Sequence, residues 1–147
     1  MKIKNKTIEF QTKSEYDFID LTDQIKDFVK ESEIENGLVN IQNFHTSSAL
    51  IFNENEPLLL EDIKNNLEKL APKDIKYNHD NFEIRTVNFC PGECPNGHSH
   101  CRAIYLLSTI TLNLIEGKLQ LGTYQRIMFV ELDRSRPRKI QIQIIGE

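Results

Sequence analysis

Hydrophobic and polar residues follow one another along this chain with two periods, and each period predicts a different kind of element. Residues 2–11 place apolar side chains between polar neighbours, which predicts a strand. Residues 38–44 alternate in the same way and are rich in β-forming residues. A short apolar run at residues 49–52 is also typical of a strand. The first third of the chain therefore contributes several strands.

Two segments show the helical period instead. The first begins at Asp20 or Thr22, either of which is suited to cap a helix, and it ends before Asn36-Gly37. Its apolar residues are Leu21, Ile25, Phe28 and Val29. The second begins at Pro57, a residue that the first helical turn tolerates, and Pro72 ends it. Its apolar stripe consists of Leu59, Leu60, Ile63, Leu67 and Leu70.

The last third of the chain has the composition of strands. Residues 103–114 are rich in Ile, Leu and Thr, and a second strand is predicted within residues 119–132, running through Gly122. Glu116-Gly117-Lys118 forms a tight turn between these two segments. Residues 138–145 alternate isoleucine with glutamine. Together these segments predict hairpins and antiparallel pairing.

Residues 73–102, between the second helix and these strands, are polar and rich in Asn, Pro and Gly. So long a connection is uncommon in a compact domain, which predicts that it is functional, partly stranded, or both. The order of elements indicates an α+β fold with mainly antiparallel sheets and two main helices. The length of 147 residues indicates one domain that spans residues 1–147.

Composition and charge exclude several classes of protein. The net charge of −4 argues against broad binding to nucleic acid or to anionic membranes. No apolar run approaches the roughly 20 residues of a membrane span, and the basic first residues lack the apolar segment of a secretory signal. The three cysteines cannot all pair within the chain. We therefore expect reduced thiols and a cytoplasmic location.

Histidines and cysteines are the clearest candidates for chemistry. His98 and His100 would point to the same face of an extended segment, and His45 or His79 would then complete a three-imidazole metal site with an open position. The alternative is that these histidines are surface or hydrogen-bonding residues. The nearby thiols allow structural zinc, a disulfide or inert free thiols, and they are Cys90, Cys94 and Cys101.

Acidic and basic residues supply two more candidates. Asn53 and Glu54 begin an acidic patch whose oxygen atoms suit Mg²⁺, although acids at the start of a helix also favour the helix dipole. Arg134, Arg136 and Arg138 alternate near the last strand, and guanidinium groups bind phosphate oxygens in pairs. A small phosphorylated ligand is therefore one interpretation, and a solvated hairpin turn is the other.

Several motifs, in order along nearly the whole chain, resemble the YjbQ-like proteins, which are called secondary thiamine-phosphate synthases. His-Thr-Ser-Ser-Ala-Leu at residues 45–50 is followed by Asn-Glu at residues 53–54, in the order of the family motif. The other matching positions are Asp62, His79, Asn96, His100, residues 116–127 and residues 131–138. Three features depart from the family pattern. Tyr124 replaces a tryptophan, cysteines occupy residues 90–101, and Arg134-Ser135 replaces a Gly-Pro turn.

The resemblance implies a curled sandwich or barrel that assembles as a homotrimer. It also implies a histidine-lined pocket near a subunit interface, with a divalent metal ion such as zinc or magnesium. The implied activity joins a hydroxymethylpyrimidine diphosphate to a thiazole phosphate and releases pyrophosphate, an activity that can be incidental to another main role. The alternatives are a metal-dependent phosphatase or hydrolase, and a non-catalytic trimer that binds a small phosphorylated metabolite.

The resemblance also assigns roles to individual residues. It implies catalytic roles for His45, Glu54 and His100, and metal binding by His45, His79 and His100. The residues implied to bind substrate are Thr46, Ser47, Asn53, Asn96, Tyr124, Gln125, Arg136 and Arg138. The family motifs include no cysteines, so we expect the three thiols to be a local staple or to have no role in the site.

Overall fold

Eight strands and three α-helices make up the fold in the computed structural model, which describes residues 1–147. The strands are β1 (Lys2–Gln11), β2 (Phe18–Asp20), β3 (Gly37–Asn43), β4 (Ser48–Asn53), β5 (Thr109–Ile115), β6 (Lys118–Leu119), β7 (Arg126–Glu131) and β8 (Pro137–Gly146). The helices are α1 (Thr22–Ser32), α2 (Pro57–Leu70) and α3 (Gly97–Ala103), and a single 3₁₀ turn spans Asn78–Asp80.

The strands form two antiparallel sheets. The larger has the order β1-β8-β3-β5-β6, and the smaller has the order β2-β7-β4. Strand β8 takes a central position because its isoleucines point to one face and its glutamines to the other. Ile140, Ile142 and Ile144 are fully buried. Their face forms the core side of the larger sheet.

The smaller sheet is covered on both faces, which explains why β7 is apolar at successive positions. Ile127 and Phe129 join the large core cluster, which also contains the apolar residues of α1. Met128 and Val130 point the other way and pack with Leu67 of α2. The α+β class with curled, mainly antiparallel sheets is therefore confirmed. None of the helices has the length and apolar character needed to cross a membrane.

Most predicted elements are confirmed, but two segments differ from the prediction. The predicted strand through Gly122 is interrupted, because the Gln125 side chain accepts a hydrogen bond from the Gly122 amide at 2.7 Å and holds a turn there. The central segment contains no strand, and its regular elements are the 3₁₀ turn and α3. The Asp80 carboxylate starts this helix by accepting hydrogen bonds from the amides of Asn96 and Gly97, both at 2.9 Å. Local periodicity carries no sign of so distant a cap.

Gly37 has a packing role rather than a role in ending α1. The helix ends at Ser32, and Glu33 adopts a left-handed conformation with φ 56°. Gly37 begins β3, where a Cβ atom would lie 2.0 Å from the Ile145 carbonyl oxygen and 2.8 Å from the Gly146 Cα. The strand pairing between β3 and β8 therefore requires glycine at this position.

Replacing Gly37 with alanine should destabilise the protein. The new methyl group would meet backbone atoms that cannot rotate away, so we expect a loss of about 1–3 kcal/mol in the free energy of unfolding. Urea unfolding followed by circular dichroism measures this loss. Leu38→Ala is the control, because that side chain is half exposed on the same strand and should change stability by only about 0.5 kcal/mol. Equal stability of the two variants would contradict the packing argument.

Candidate functional site

A buried ion pair joins the two sheets beneath the candidate site. Arg138 on β8 of the larger sheet donates to both carboxylate oxygens of Glu131 on β7 of the smaller sheet. The Nε–Oε2 distance is 2.7 Å and the Nη2–Oε1 distance is 2.6 Å. Both side chains are almost completely buried. A buried pair with this fork geometry fixes the two strands relative to each other.

Three further groups complete the hydrogen bonding of this ion pair. Thr12 donates through Oγ1 to Glu131 at 3.0 Å, and the Asp133 amide donates to the same carboxylate at 3.0 Å. Arg138 Nη2 also donates to the Ser47 hydroxyl at 3.0 Å. Arg138 Nη1 makes no hydrogen bond within the chain. The charge of Arg138, one of the three arginines expected to bind phosphate, is therefore neutralised inside the protein.

An open polar cavity of about 610 Å³ lies above the ion pair. Its walls come from the segment after β3, from the long central segment, from α3 and from the turn before β8. The predicted site residues that line it are His45, Thr46, Ser47, His79, Asn96, His100, Arg136 and Arg138. Segments far apart in sequence thus meet in one place, although each predicted role stays a prediction.

His45 is held by the backbone of β8. The Lys139 amide donates to His45 Nε2 at 3.0 Å, so the ring carries its proton on Nδ1. Burial lowers the pKa of His45, and the charge of Arg138 lowers it further. The ring is therefore a hydrogen-bond donor at neutral pH, and its Nε2 lone pair is already occupied.

His79 is held by an arginine that sequence analysis did not single out. Arg85 Nη1 lies 3.0 Å from His79 Nε2, and because a guanidinium group can only donate, this nitrogen must accept. The His79 and His100 rings meet edge to face, with centroids 4.6 Å apart. The Nε2 lone pair of His79 is thus occupied as well.

His100 differs from His45 and His79, because its unprotonated ring nitrogen does not accept a hydrogen bond from the protein. Burial lowers its pKa, and the neighbouring His79 lowers it further. The Thr46 backbone acts in the opposite direction. A neutral imidazole has one unprotonated nitrogen, and no donor within the chain forms a hydrogen bond to that of His100. His100 is therefore the strongest candidate for a general base.

The expected three-imidazole metal site does not fit this arrangement. The structure contains no group of three or more His, Cys, Asp or Glu side chains that could hold a metal ion. Two of the expected ligands already accept hydrogen bonds at Nε2, His45 from a backbone amide and His79 from Arg85. Zinc or magnesium binding would require both of these contacts to break.

His98 does not share a face with His100, which corrects the sequence interpretation. The segment is helical, and residues two apart on a helix point about 200° apart. His98 is buried and lies 3.4 Å from Glu15, beside a second cavity of about 900 Å³ that is lined by residues such as Lys73 and Tyr77. Burial lowers its pKa, and the charge of Arg102 lowers it further.

Four predicted site residues lie elsewhere, at the far end of the smaller sheet: Asn53, Glu54, Tyr124 and Gln125. Strand β4 pairs Ser48 with Glu131 at the cavity end and Asn53 with Arg126 at the other. Five residues of extended strand separate these ends by roughly 16 Å. Tyr124 is 70% exposed there and does not line the cavity. Within one chain these four residues therefore lie apart from the cavity, and their assigned roles stay predictions.

The remaining arginines at the cavity are organised around Asp133. Arg134 Nη1 lies 3.2 Å from this carboxylate and Arg136 Nη1 lies 3.4 Å from it. The side-chain amide of Asn96 donates to the same carboxylate at 3.2 Å. Asp133 is buried, whereas both arginine side chains are about one-third exposed. Their guanidinium groups therefore remain accessible to a ligand.

All three cysteines are free thiols, so the structure contains no disulfide staple. Cys90 and Cys94 are exposed, and Cys90 lies at the cavity wall. With no metal-binding group present, the structural-zinc interpretation has no support from the geometry. The three thiols are therefore free in this structure, and the expectation that they have no role in the site stays a prediction.

Six residues that line the cavity were not among the sequence candidates, and three of them carry an aromatic or charged side chain: Phe44, Arg85 and Glu93. Phe44 directly precedes the His45 motif and is partly exposed beside it. Arg85 lies between Phe82 and Phe89, with its guanidinium carbon 5.6 and 5.8 Å from the two ring centroids. An arginine between two aromatic residues is the signal that was available in the sequence.

The fold and cavity define a class of small α+β proteins with an arginine- and histidine-lined cavity where two sheets meet. The sequence model for the family described as "UPF0047 protein YjbQ-like" matches residues 6–147. The chain belongs to this family. A UPF0047 protein of Methanothermobacter thermautotrophicus is 33% identical over 147 residues, which is 100% of this chain and 95% of that protein. A UPF0047 protein of Archaeoglobus fulgidus is 35% identical, with coverage of 94% and 98%.

Solved structures show the same fold. A YbjQ-like protein of unknown function from Sulfolobus solfataricus P2 superposes with a TM-score of 0.88 at 31% identity, covering 99% of each chain. An uncharacterized protein of the YjbQ/UPF0047 family from Clostridium acetobutylicum gives a TM-score of 0.76 at 35% identity, with coverage of 94% and 99%. The family and the fold expected from the sequence are both confirmed.

Three histidines should make the protein less stable in mild acid. The folded state lowers the pKa of His45, His98 and His100 below the ordinary value of 6.5, so the unfolded chain binds more protons. The associated stability is present above about pH 6.5 and is lost as the pH falls below it. Urea midpoints measured between about pH 7.5 and about pH 5 should therefore decrease.

His98→Gln should reduce this pH dependence, because one of the three groups is removed. Carboxylates with a lowered pKa, such as Glu15 and Asp20, titrate below their ordinary values of 4.5 and 3.8 and do not contribute in this range. An unchanged urea midpoint across the range would show that these imidazoles are not held in the neutral form.

Proposed function

We propose that this protein binds a small phosphorylated metabolite in the cavity and transfers a group from a diphosphate ester, in the manner of a thiamine-phosphate synthase. The observation that carries the proposal is the concentration of positive charge at the cavity. Arg85, Arg134, Arg136 and Arg138 line it, and the carboxylates paired with them are Glu93, Asp133 and Glu131, so four cations meet three anions although the chain as a whole has a net charge of −4. Such a local excess of cations in a concave site attracts an anion.

The proposed reaction joins a hydroxymethylpyrimidine diphosphate to a thiazole phosphate. The bond between the pyrimidine methylene carbon and the diphosphate oxygen breaks, and its electron pair leaves with pyrophosphate. A new bond forms between that carbon and the thiazole nitrogen, and no proton is transferred. Arg134, Arg136 and the free Nη1 of Arg138 would neutralise the charge that develops on the leaving group.

Phe44 is the candidate aromatic surface for the pyrimidine. Tyr124 was expected to supply this surface but lies at the other end of the smaller sheet. Phe44 lines the cavity beside His45, and its side chain is partly exposed. An aromatic face next to an anion site can bind a ring that carries a diphosphate. Phe44 therefore takes the role that was assigned to Tyr124.

Hydrolysis of a phosphate ester is the second candidate, and the free lone pair of His100 favours it. In this reaction His100 accepts a proton from water as the water oxygen bonds to phosphorus. The phosphorus–oxygen ester bond breaks, and the proton passes to the departing alkoxide oxygen. This chemistry needs a general base within the cavity, whereas the transfer reaction does not. The two candidates therefore differ in their dependence on His100.

Arg136→Met should weaken anion binding. Loss of one accessible guanidinium group from the cavity removes a charge-assisted hydrogen bond, so we expect the dissociation constant for inorganic pyrophosphate to rise about 10- to 100-fold. Isothermal titration calorimetry measures this change. Lys4→Met is the control, because it removes one exposed cation from β1, away from the cavity. Equal affinity of both variants and the wild type would contradict the assignment of the anion site.

Turnover assays separate the three candidate functions. Thiamine phosphate formed from the pyrimidine diphosphate and the thiazole phosphate supports the transfer reaction. Inorganic phosphate released from simple phosphate esters supports hydrolysis, and His100→Gln should then lower the rate by about 10²- to 10⁴-fold. Tight binding of pyrophosphate, with neither product formed, would support the third candidate, a non-catalytic binding protein.

We also propose that the protein is a homotrimer, as the family resemblance implies. The apolar faces of β5, β7 and β8 are buried in the core and are not available to a partner. Other apolar side chains are exposed instead, in the central segment and after α3: Ile75, Ile84, Val87, Phe89, Ile104, Tyr105 and Leu107. An accumulation of this kind is typical of an interaction surface.

Light scattering tests the assembly. We expect a particle of three chains at micromolar concentration, and Ile104→Lys should shift the mass toward the monomer. Ile104 is 77% exposed, so the substitution should leave the fold of the single chain intact. Leu58→Lys, which changes a similarly exposed side chain on α2, is the control. A wild-type protein that stays monomeric would contradict the proposal.

A further inference from the structure

One wall of the cavity is a segment with little regular structure. Residues 78–94, here called the loop wall, contain a single 3₁₀ turn followed by a chain of turns. Few of its side chains are anchored in the core, and Ile84 and Val87 are about 70% exposed. The loop wall nevertheless supplies His79, Cys90 and Glu93 to the cavity. Something other than a hydrophobic core must hold it in place.

Arg85 is at the centre of the contacts that hold the loop wall. Its guanidinium group donates to the carbonyl oxygen of His79 at 2.8 Å and to that of Asn88 at 3.1 Å. It also pairs with Glu93 at 2.5 Å, while the Phe82 and Phe89 rings lie close to it. The Arg85 side chain is only 12% exposed. A single cation therefore gathers both ends and the middle of the loop wall.

The same guanidinium group determines the tautomer of His79. Arg85 Nη1 donates to His79 Nε2, which places the ring proton on Nδ1. A metal ion bound to His79 Nε2 would use the same lone pair and would also supply a fixed positive charge. Arg85 thus uses the His79 Nε2 lone pair that a metal ion would use, and it supplies a positive charge at the same place. Glu93 balances that charge.

We propose that Arg85, rather than a metal ion, is the cation that organises the histidine side of this cavity. Arg85 is a positioning residue: it fixes the ring of His79, and His79 in turn packs edge to face against His100. The arrangement makes the cavity an anion site that works without a divalent ion. This inference concerns the protein without ligand, so it does not depend on which phosphorylated compound binds under the proposed function.

Nitrogen-15 NMR of the histidine side chains tests the proposal directly, because the shifts of Nδ1 and Nε2 report the tautomer. In the wild-type protein we expect an unprotonated His79 Nε2, unchanged by a chelator and by addition of zinc or magnesium. Elemental analysis should find no stoichiometric metal. In Arg85→Met we expect His79 to become a mixture of tautomers. Arg134→Met is the control, since Arg134 lines the cavity without contacting His79.

Two results would overturn the inference. One is stoichiometric zinc or magnesium with His79 Nε2 as a ligand, and the other is an unchanged His79 tautomer in Arg85→Met. If that variant does not fold, the wild-type spectrum still decides, because a protonated or metal-bound Nε2 excludes the Arg85 contact. Failure of pyrophosphate to bind would contradict the proposed function and leave these spectra unaffected.

Discussion

The ion pair between Glu131 and Arg138 is the interaction on which the rest of this structure depends. Its two residues belong to different sheets, and their hydrogen bonds extend to Thr12 at the end of β1 and to Ser47 at the start of β4. Removing one partner from a buried pair typically costs about 3–5 kcal/mol, because the other charge stays buried and uncompensated. The pair therefore fixes how the sheets meet at the cavity floor.

This constraint divides the arginines near the site into two kinds. Arg138 is buried and paired, so it contributes structure and one free N–H group. Arg134 and Arg136 share Asp133 and remain partly exposed, so they retain charge for a ligand. The sequence presents all three as equivalent, since they alternate in one short segment. Only their different depths within the fold separate the buried arginine from the two that stay partly exposed.

Hydrogen bonds divide the histidines in a similar way. A backbone amide occupies Nε2 of His45, a guanidinium group occupies Nε2 of His79, and His100 keeps one free lone pair. Three imidazoles in one cavity are consistent with a metal site when only their positions are considered. Their hydrogen-bond partners show that the three rings are not equivalent, and these partners come from β8 and the loop wall rather than from adjacent residues.

The sequence by itself determined the elements whose side chains repeat regularly, such as β8 with its alternating isoleucines and α2 with its leucine stripe. It also determined the family, because the motifs keep their order over nearly the whole chain. The tertiary structure decided what depends on distant contacts. Asp80 starts α3 and thereby turns His98 away from His100, and the β4–β7 pairing carries Tyr124 away from the cavity. Periodicity records which side of its own element a residue occupies. The residues that contact this side belong to chain segments far away in sequence, so they are known only from the folded molecule.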